Sequence, residues 1–341
     1  MFPAVSIQDQ TRAALPDTSE RDLPFGALPN RSTILLLAGC AGLLIYFLGF
    51  FGAFGQGPIS TAQWAWEAWN PENNQEHSRF VLPIAAALVI YHRKKLLAAV
   101  KKPSAVGMVY VIAGIITFVL GVRALQPRVA ICALPLLIYG GARFLWGKEV
   151  GRVLIFPCLF LLFMIPIGGI VQGTVSLQLL VSWAVQGLSA LIGVKIEMIG
   201  TTLRALDDSF NFEIAEGCSG IRSLMAMTML AALYVHFTQD KTWKQWTIFF
   251  GSIVFALIGN IGRIFTVILF ARFIDPKIAG GIYHDYSGFI FFPVAVGAMV
   301  GFSSLLNLDW AKWIQDKTLP PPSAGPKAEL TKPNPSISYD Y

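Results

Sequence analysis

Long apolar runs separated by short polar loops constrain this chain more than any other feature of its sequence. Hydrophobic residues make up 55% of the chain and charged residues only 13%, whereas about 25% of a soluble domain is charged. These values predict a chain that crosses a bilayer many times. The predicted spans are Ser32 to Phe54, Phe80 to Tyr91, Ser104 to Val122, Val129 to Ile138, Val153 to Val171, Cys218 to Phe237, Trp246 to Phe273 and Tyr286 to Leu306.

The predicted fold is an all-α polytopic membrane protein with about eight transmembrane helices, an outer amphipathic helix and a small β-hairpin. Residues 172–192 repeat Gln and Ser among Leu, Val and Trp, as in a helix that lies at the membrane interface or lines a lumen. Residues 194–216 lack helical periodicity, which predicts the hairpin. The membrane domain covers residues 32–306, between a disordered cytoplasmic N-terminal tail (1–31) and a Pro-rich cytoplasmic tail (307–341).

Basic residues are distributed unevenly between the predicted loops. With the N-terminus inside and eight spans, 17 of the 26 Lys and Arg residues fall in cytoplasmic segments. Membrane proteins concentrate such residues on the cytoplasmic side, so a net charge of +6 requires no nucleic-acid partner. The distribution predicts that both termini are cytoplasmic and that residues 194–216 lie at the outer face, together with Cys218.

Cys218 lies where a further apolar run begins, in the company of charged residues. If this run is a helix, Cys218 is in its first turn and Arg222 lies four residues on, on the same face. The positive helix end and the guanidinium both favour a thiolate, the form that acts as a nucleophile. The alternative is a small residue that merely packs against a neighbouring helix. The nearby Glu213 and Glu216 favour the functional interpretation.

Arg263 lies inside an otherwise apolar predicted helix, with Asn260 on the same face. An arginine at membrane depth costs roughly 2.5–3.5 kcal/mol on insertion scales, so it should face the protein interior and have a partner. Helical rise puts it about 12 Å from the outer end of its span. A purely structural arginine, bonded to backbone carbonyls, is the alternative.

His284 lies at the outer mouth of the last predicted span. The predicted topology therefore places Cys218, Arg263 and His284 at one depth on one face, although a lone interfacial histidine is often without function. A cysteine, a base that titrates near neutral pH and a fixed cation are the components of a cysteine acyl-transfer site. The histidines lack metal-ligand spacing, so no metal and no cofactor is predicted.

Three segments together resemble the signature of the exosortase/archaeosortase family, over about residues 32–306. The histidine of the third segment is more similar to the bacterial exosortases than to the archaeal relatives. One departure is in the first outer loop, where the family often has His-Gly and this chain has His77-Ser78, so a role for His77 stays open. The three segments are Cys218-Ser-Gly-Ile-Arg222, Asn260-x-x-Arg263, and His284-x-x-x-Gly288 followed by Phe291-Phe292.

The resemblance implies a cysteine protease or transpeptidase of the bacterial cytoplasmic (inner) membrane, with its active site at the outer, periplasmic face. The implied substrates are exported proteins with a PEP-CTERM-like C-terminal sorting signal. That signal consists of a short motif (Pro-Glu-Pro in the commonest class), a transmembrane helix and a basic tail. The family's cysteine, arginine and histidine fall on Cys218, Arg263 and His284.

The hypothesis that follows assigns a step to each of these residues. Cys218 attacks the carbonyl of the sorting motif, while His284 takes the thiol proton and returns it to the leaving amine. Arg263 stabilises the oxyanion or orients the substrate. The supporting residues are Arg222, Asn260 and Glu216, the last as the next choice of base.

Two other functions remain open at this stage. A membrane transporter also uses intramembrane arginines and broken helices, but it does not require a cysteine at the same depth. A non-enzymatic membrane scaffold explains the hydrophobicity and not the three polar residues. The sequence leaves open the exact motif of the substrate, the acceptor that resolves the thioester and the oligomeric state.

Overall fold

A computed structural model of the chain describes residues 39, 41–54, 59–166, 171–213 and 220–308. Most of these residues are helical. The helices are α1 (Thr61–Ala68), α2 (Val81–Tyr91), α3 (Arg93–Ala98), α4 (Val106–Arg123), α5 (Pro127–Trp146), α6 (Lys148–Phe160), α7 (Val171–Leu191), α8 (Ile221–Thr238), α9 (Thr242–Phe273) and α10 (His284–Asn307).

Shorter helical turns and one sheet complete the fold. The turns are Tyr46–Phe50, Glu76–Phe80, Leu161–Met164, Pro276–Ile278 and Ala279–Tyr283, and the strands are β1 (Ile196–Ile199), β2 (Thr202–Ala205) and β3 (Asn211–Glu213).

Five helical segments among the described residues are long and apolar enough to cross a membrane. They are α4, α5, α8, α9 and the segment Pro276–Asn307, which contains α10. Each coincides with a predicted span, and together they confirm a helical protein embedded in the membrane. α8 begins three residues after the predicted start of its span, at Ile221, with Gly220 as its N-cap.

The other three predicted spans are not confirmed. Residues 32–38 lie outside the described part of the chain, and Ala41–Phe50 is a short apolar helix. α2 has 11 residues and α6 has 13, which gives lengths of about 16 and 20 Å, whereas a bilayer core is about 30 Å thick. α2 stops at His92 before a basic cluster, and α6 gives way to a tighter turn at Leu161.

α4 and α5 form a closely packed antiparallel pair because glycines line their contact. A Cβ added to Gly121 would lie 2.5 Å from the backbone nitrogen of Ala130, and one added to Gly140 would lie 2.7 Å from that of Val111. Gly141, the next residue, has nothing within 4 Å of such an atom. Small residues allow helices in a membrane to approach this closely.

The predicted hairpin is present, and a third strand extends it to an antiparallel sheet in the order β1-β2-β3. Gly200, with φ +63°, makes the first turn, and Asp208, with φ +56°, lies in the second. Nε of Arg204 donates to Oδ1 of Asp208 at 2.7 Å, which closes that second turn and returns the chain to β3. The sheet packs on α7 and on the end of α9 through Leu203 and Ile268.

α7 confirms the helix predicted for residues 172–192 and shows which way its polar side chains point. Gln178, Ser182 and Ser189 are buried, whereas Trp183 and Leu191 are exposed. An apolar exterior and a polar interior suit a helix surrounded by lipid. The polar stripe therefore faces the protein.

α9 is the central helix and packs against α7, α8 and α10. Its 32 residues give a length of about 48 Å, longer than a bilayer core. Met227 of α8, Ile248 of α9 and Met299 of α10 are fully buried in one core between these helices. This core fixes α8, α9 and α10 relative to one another, and the candidate site lies beside it.

Candidate active site

Arg263 is held by the first turn of α10. Its Nε donates a hydrogen bond to Oγ of Ser287 at 3.0 Å, and its Nη2 donates to the backbone carbonyl of His284 at 3.2 Å. Ser287 is fully buried, and its hydroxyl donates to the same His284 carbonyl at 2.9 Å. The Ser287 hydroxyl thus accepts one hydrogen bond, from Arg263, and donates one, to the His284 carbonyl. The two residues predicted to share a site lie together.

One hydrogen bond and one aromatic stack fix the turn before α10 to α9. Tyr283 donates from its hydroxyl to Oγ1 of Thr266 at 2.8 Å, and its ring stacks on Phe270 at 3.9 Å between centroids. Thr266 in turn donates to the backbone carbonyl of Arg263 at 2.8 Å. Gly281 breaks the helical geometry there, with φ −100° and ψ −109°. These contacts set where α10 begins, and therefore the position of His284.

The His284 side chain is half-buried, with 28% of its surface exposed, at the first position of α10. Its Nδ1 lies 3.3 Å from Oδ1 of Asp285. A carboxylate at this distance orients an imidazole.

Asn260 lies one turn before Arg263 on α9 and is buried, with 3% exposure. Gly220, the N-cap of α8, packs directly against it with a left-handed φ of +85°. A Cβ added to Gly220 would lie 2.8 Å from Cγ and Nδ2 of Asn260. A glycine is required here both by the backbone conformation and by the space. α8 therefore begins in contact with the helix that carries Arg263.

A narrow cleft opens between α8, α9 and α10 beside these residues. Ser223, Asn260 and Arg263 supply its polar lining, while Phe291 and Phe292 supply much of its apolar lining. The described residues leave this cleft a volume of about 10 Å³, which is enough for one water-sized group.

Arg222 points away from this cleft, towards a loop far away in sequence. Its Nε lies 3.0 Å from Oε1 of Glu76, and its Nη2 donates to the carbonyl of Pro71 at 3.0 Å. The sequence predicted that this guanidinium lies on the same face as Cys218 and favours its thiolate. In the structure a carboxylate partly compensates its charge.

His77 follows Glu76 in the same loop. Burial lowers the pKa of its imidazole, and the Glu76 carboxylate opposes that shift to a smaller extent. Its Nδ1 is buried and has no hydrogen-bond partner among the described residues. No group of three or more His, Cys, Asp or Glu side chains in the described ranges could hold a metal ion.

Cys218 and Glu216 lie outside the described residues. The chain is described up to Glu213 at the end of β3 and again from Gly220. A Cβ added to Gly280 would lie 2.8 Å from the ring of Phe212, so β3 packs on the turn that leads to His284. The described ends on both sides of Cys218 thus contact the elements that carry His284 and Arg263.

Two contributors to the site were not predicted from the sequence. Ser287 lies one helical turn after His284, and that spacing could have identified it. Glu76 is separated from Arg222 by six of the described helices, so only the fold reveals the pair.

The sequence model of one protein family, described as transmembrane exosortase, matches residues 66–301, which is more than half of the chain. No curated protein and no solved structure matches the chain. The matched range contains Arg222, Asn260, Arg263 and His284, and it also contains loop 70–80. The chain therefore belongs to the transmembrane exosortase family.

Proposed function

We propose that this protein is a membrane cysteine protease or transpeptidase that cleaves the C-terminal sorting signal of exported proteins. The observation that carries the proposal is the contact between Arg263 and the first turn of α10, at 3.2 Å from the His284 carbonyl. Arg263 of α9 meets the backbone of the helix start that carries His284, at the same end at which α8 begins. Such a convergence is typical of a reaction site inside a membrane protein.

The nucleophile in this proposal is Cys218. Gly220 contacts Asn260, and two residues span at most about 7 Å, so covalent geometry limits how far Cys218 can lie from α9. The contact of Phe212 with Gly280 applies a looser limit from the other side, because six residues span at most about 21 Å. Both limits support a thiol that acts together with Arg263 and His284.

The reaction begins when His284 takes the proton from the Cys218 thiol. The thiolate attacks the carbonyl carbon of the scissile peptide, and the negative charge moves to the carbonyl oxygen, where Arg263 stabilises it. The carbon–nitrogen bond breaks as His284 returns the proton to the leaving amine. The thioacyl enzyme is then resolved by water or by an amine. Asn260, Arg222 and Glu216 support this site.

The substrate reaches Cys218 from within the membrane in this proposal. Its sorting signal contains a transmembrane helix followed by a basic tail, and the cleft lies between helices that themselves cross the bilayer. We propose eight spans in the bacterial inner membrane, with both termini cytoplasmic and the site at the periplasmic face. A short motif next to the substrate helix then meets Cys218 at the outer surface.

Substitution of the nucleophile tests the proposal. Cys218→Ala should leave the protein in the membrane and stop removal of the C-terminal signal from a tagged substrate, and Cys218→Ser should be nearly as inactive. Cys158→Ala is the matched control, because that thiol is buried in α6 away from the site. Normal processing by Cys218→Ala would refute the cysteine mechanism and leave a transporter or a scaffold as the function.

A further inference from the structure

Loop 70–80 is a preformed element docked on the turn after α6. Nε1 of Trp69 donates to the carbonyl of Met164 at 2.8 Å, and Oγ of Ser78 donates to that of Phe163 at 3.1 Å. Asn74 adopts a left-handed φ of +56° to close the loop. These contacts hold the loop in place independently of α8.

Arg222 joins this loop to the first turn of α8 by two contacts. The guanidinium reaches Oε1 of Glu76 with Nε and the carbonyl of Pro71 with Nη2, both at 3.0 Å. The Arg222 and Glu76 side chains are 48% and 33% exposed. Ion pairs this exposed contribute little to stability because solvent screens them. The two-point contact therefore matters mainly for the geometry it imposes.

The loop also has polar side-chain atoms in its interior. Four consecutive residues, Asn74 to His77, each have a buried polar atom without a hydrogen-bond partner in the described part of the chain. A loop that only sealed the bundle would have apolar side chains here. Its polarity points to a role at the neighbouring start of α8.

We propose that Glu76 is a positioning residue for the Cys218 thiol. Its ion pair with Arg222 holds the first turn of α8, which follows Cys218 closely in the sequence, against loop 70–80. This inference rests on the proposed cysteine chemistry. Glu76 touches neither the substrate nor the reacting atoms, and it acts through Arg222 alone.

Glu76 also compensates part of the Arg222 charge, and this makes its role testable. Removal of the carboxylate should favour the Cys218 thiolate, while removal of the guanidinium should disfavour it. Both changes should nevertheless slow cleavage, because both release the start of α8. The titratable and charged groups that the described residues bring to this end of the protein are Glu76, His77, Arg222, Arg263, His284 and Asp285.

The first experiment measures cleavage of a tagged substrate by the full-length protein in membranes. Glu76→Gln should lower kcat by about two- to fivefold, which is the upper range for the loss of an ion pair this exposed. Glu72→Gln is the matched control, because it makes the same change at an exposed position of the same loop and should leave kcat unchanged. The double exchange Glu76→Arg with Arg222→Glu should recover activity relative to either single reversal, which also shows that the loop still folds.

The second experiment measures alkylation of Cys218 as a function of pH in a protein whose other cysteines are replaced by serine. The midpoint should move to lower pH in Glu76→Gln and to higher pH in Arg222→Gln. A role confined to folding of the loop would move neither midpoint.

The two proposals fail in different ways. If Cys218→Ala still processes the substrate, the proposed function is wrong. If Cys218→Ala is inactive but Glu76→Gln cleaves like Glu72→Gln, the enzyme proposal stands and the positioning role of Glu76 is wrong. Unchanged alkylation midpoints would likewise overturn the positioning role.

Discussion

Arg263 lies inside an apolar helix, yet the start of another helix holds its guanidinium. Arg263→Lys keeps the charge and loses the planar fork, so one ammonium cannot match both the Ser287 hydroxyl and the His284 carbonyl. We expect processing to fall about 100-fold, as on loss of an oxyanion donor, while the protein still inserts. Substrate cleavage and membrane abundance should be measured together.

Arg272→Lys provides the control for this substitution. Arg272 is on the same helix and pairs with Asp207 at 3.1 Å, with 43% of its side chain exposed. Its replacement should leave cleavage within twofold of wild type. Wild-type cleavage by Arg263→Lys, or its loss from the membrane, would instead identify Arg263 as a structural residue.

Gly220 combines a left-handed backbone with close contact to Asn260. Gly220→Ala should lose about 1–2 kcal/mol to backbone strain, and it should lose more because the new methyl group meets the amide at 2.8 Å. Gly193→Ala separates the two effects, since Gly193 has φ +82° and nothing within 4 Å. Thermal unfolding in detergent should rank Gly220→Ala below Gly193→Ala, and only the former should slow cleavage. Equal losses of thermal stability in the two variants would exclude a role for the contact between Gly220 and Asn260.

His77 predicts a pH dependence for the docking of loop 70–80. Burial lowers its pKa below the ordinary value of 6.5, so the undocked loop binds a proton more readily than the docked loop. The stabilisation of docking should be complete above about pH 6.5 and should decrease as the pH falls below that value. Hydrogen exchange of residues 70–80, corrected for intrinsic rates, should be faster at pH 5.5 than at pH 7.5. In His77→Gln, the difference in exchange between pH 5.5 and pH 7.5 should be smaller. Equal exchange at both pH values in the wild type would contradict the role of His77 in this pH dependence.

At the residue scale, the sequence identified a residue when its polarity differed from that of its neighbours. Arg263 in an apolar run required a polar partner, and the structure supplies one on the turn that carries His284. Ser287 and Glu76 escaped notice because a serine in a helix and a glutamate in a loop contradict nothing. The direction of Arg222 could not be predicted, since its partner Glu76 comes from a distant part of the chain.

α4 and α5 pack closely because glycines lie at their contact. Gly140→Ala should separate α4 from α5, because the methyl group would lie 2.7 Å from a backbone nitrogen that cannot rotate away. We expect a loss of about 1–3 kcal/mol in thermal unfolding, typical of overpacking. Gly141→Ala, at the next position and with open space around it, should unfold at or above the wild-type temperature. Equal behaviour of the two variants would mean that the contact is loose.

Element boundaries were predictable where hydrophobicity was continuous, and less so where local turns decided them. The long runs of α4, α8, α9 and α10 became helices with ends close to those expected. The third strand of the sheet was missed because β3 has only three residues, too few for a periodic signal. The polar repeat of α7 predicted a helix but left open which side faced the protein.

At the scale of the whole molecule, the orientation in the membrane is testable independently of the chemistry. Single cysteines at Asn73 and Ser209, on a background without other cysteines, should react with an impermeant maleimide added outside intact cells. Cysteines at Lys94 and Lys241 should react only after the cells are opened. All four positions are exposed, so access to the side chain does not limit the reaction. Outside labelling at Lys241 would reverse the proposed orientation.

At this scale, the sequence prediction and the structure differ in the number of membrane spans. Hydropathy predicted eight runs, and five helical segments in the described ranges are long enough to cross a membrane. α2 and α6 are apolar but short, and composition alone cannot show where an apolar run stops being helical. The labels at Asn73 and Lys94 flank α2 and therefore also test whether it crosses the membrane.

The bond from Arg263 to the start of α10 has a consequence for the order of biosynthesis. The ribosome completes α9 before α10, so the guanidinium enters the membrane before the Ser287 hydroxyl and the His284 carbonyl exist. An arginine at that depth costs roughly 2.5–3.5 kcal/mol until the next helix supplies these partners. α9 and α10 should therefore enter the bilayer as a pair, and a nascent chain halted between them should retain its translocon contacts. The contact between Arg263 and the start of α10 is then complete only when the last described helix has left the ribosome.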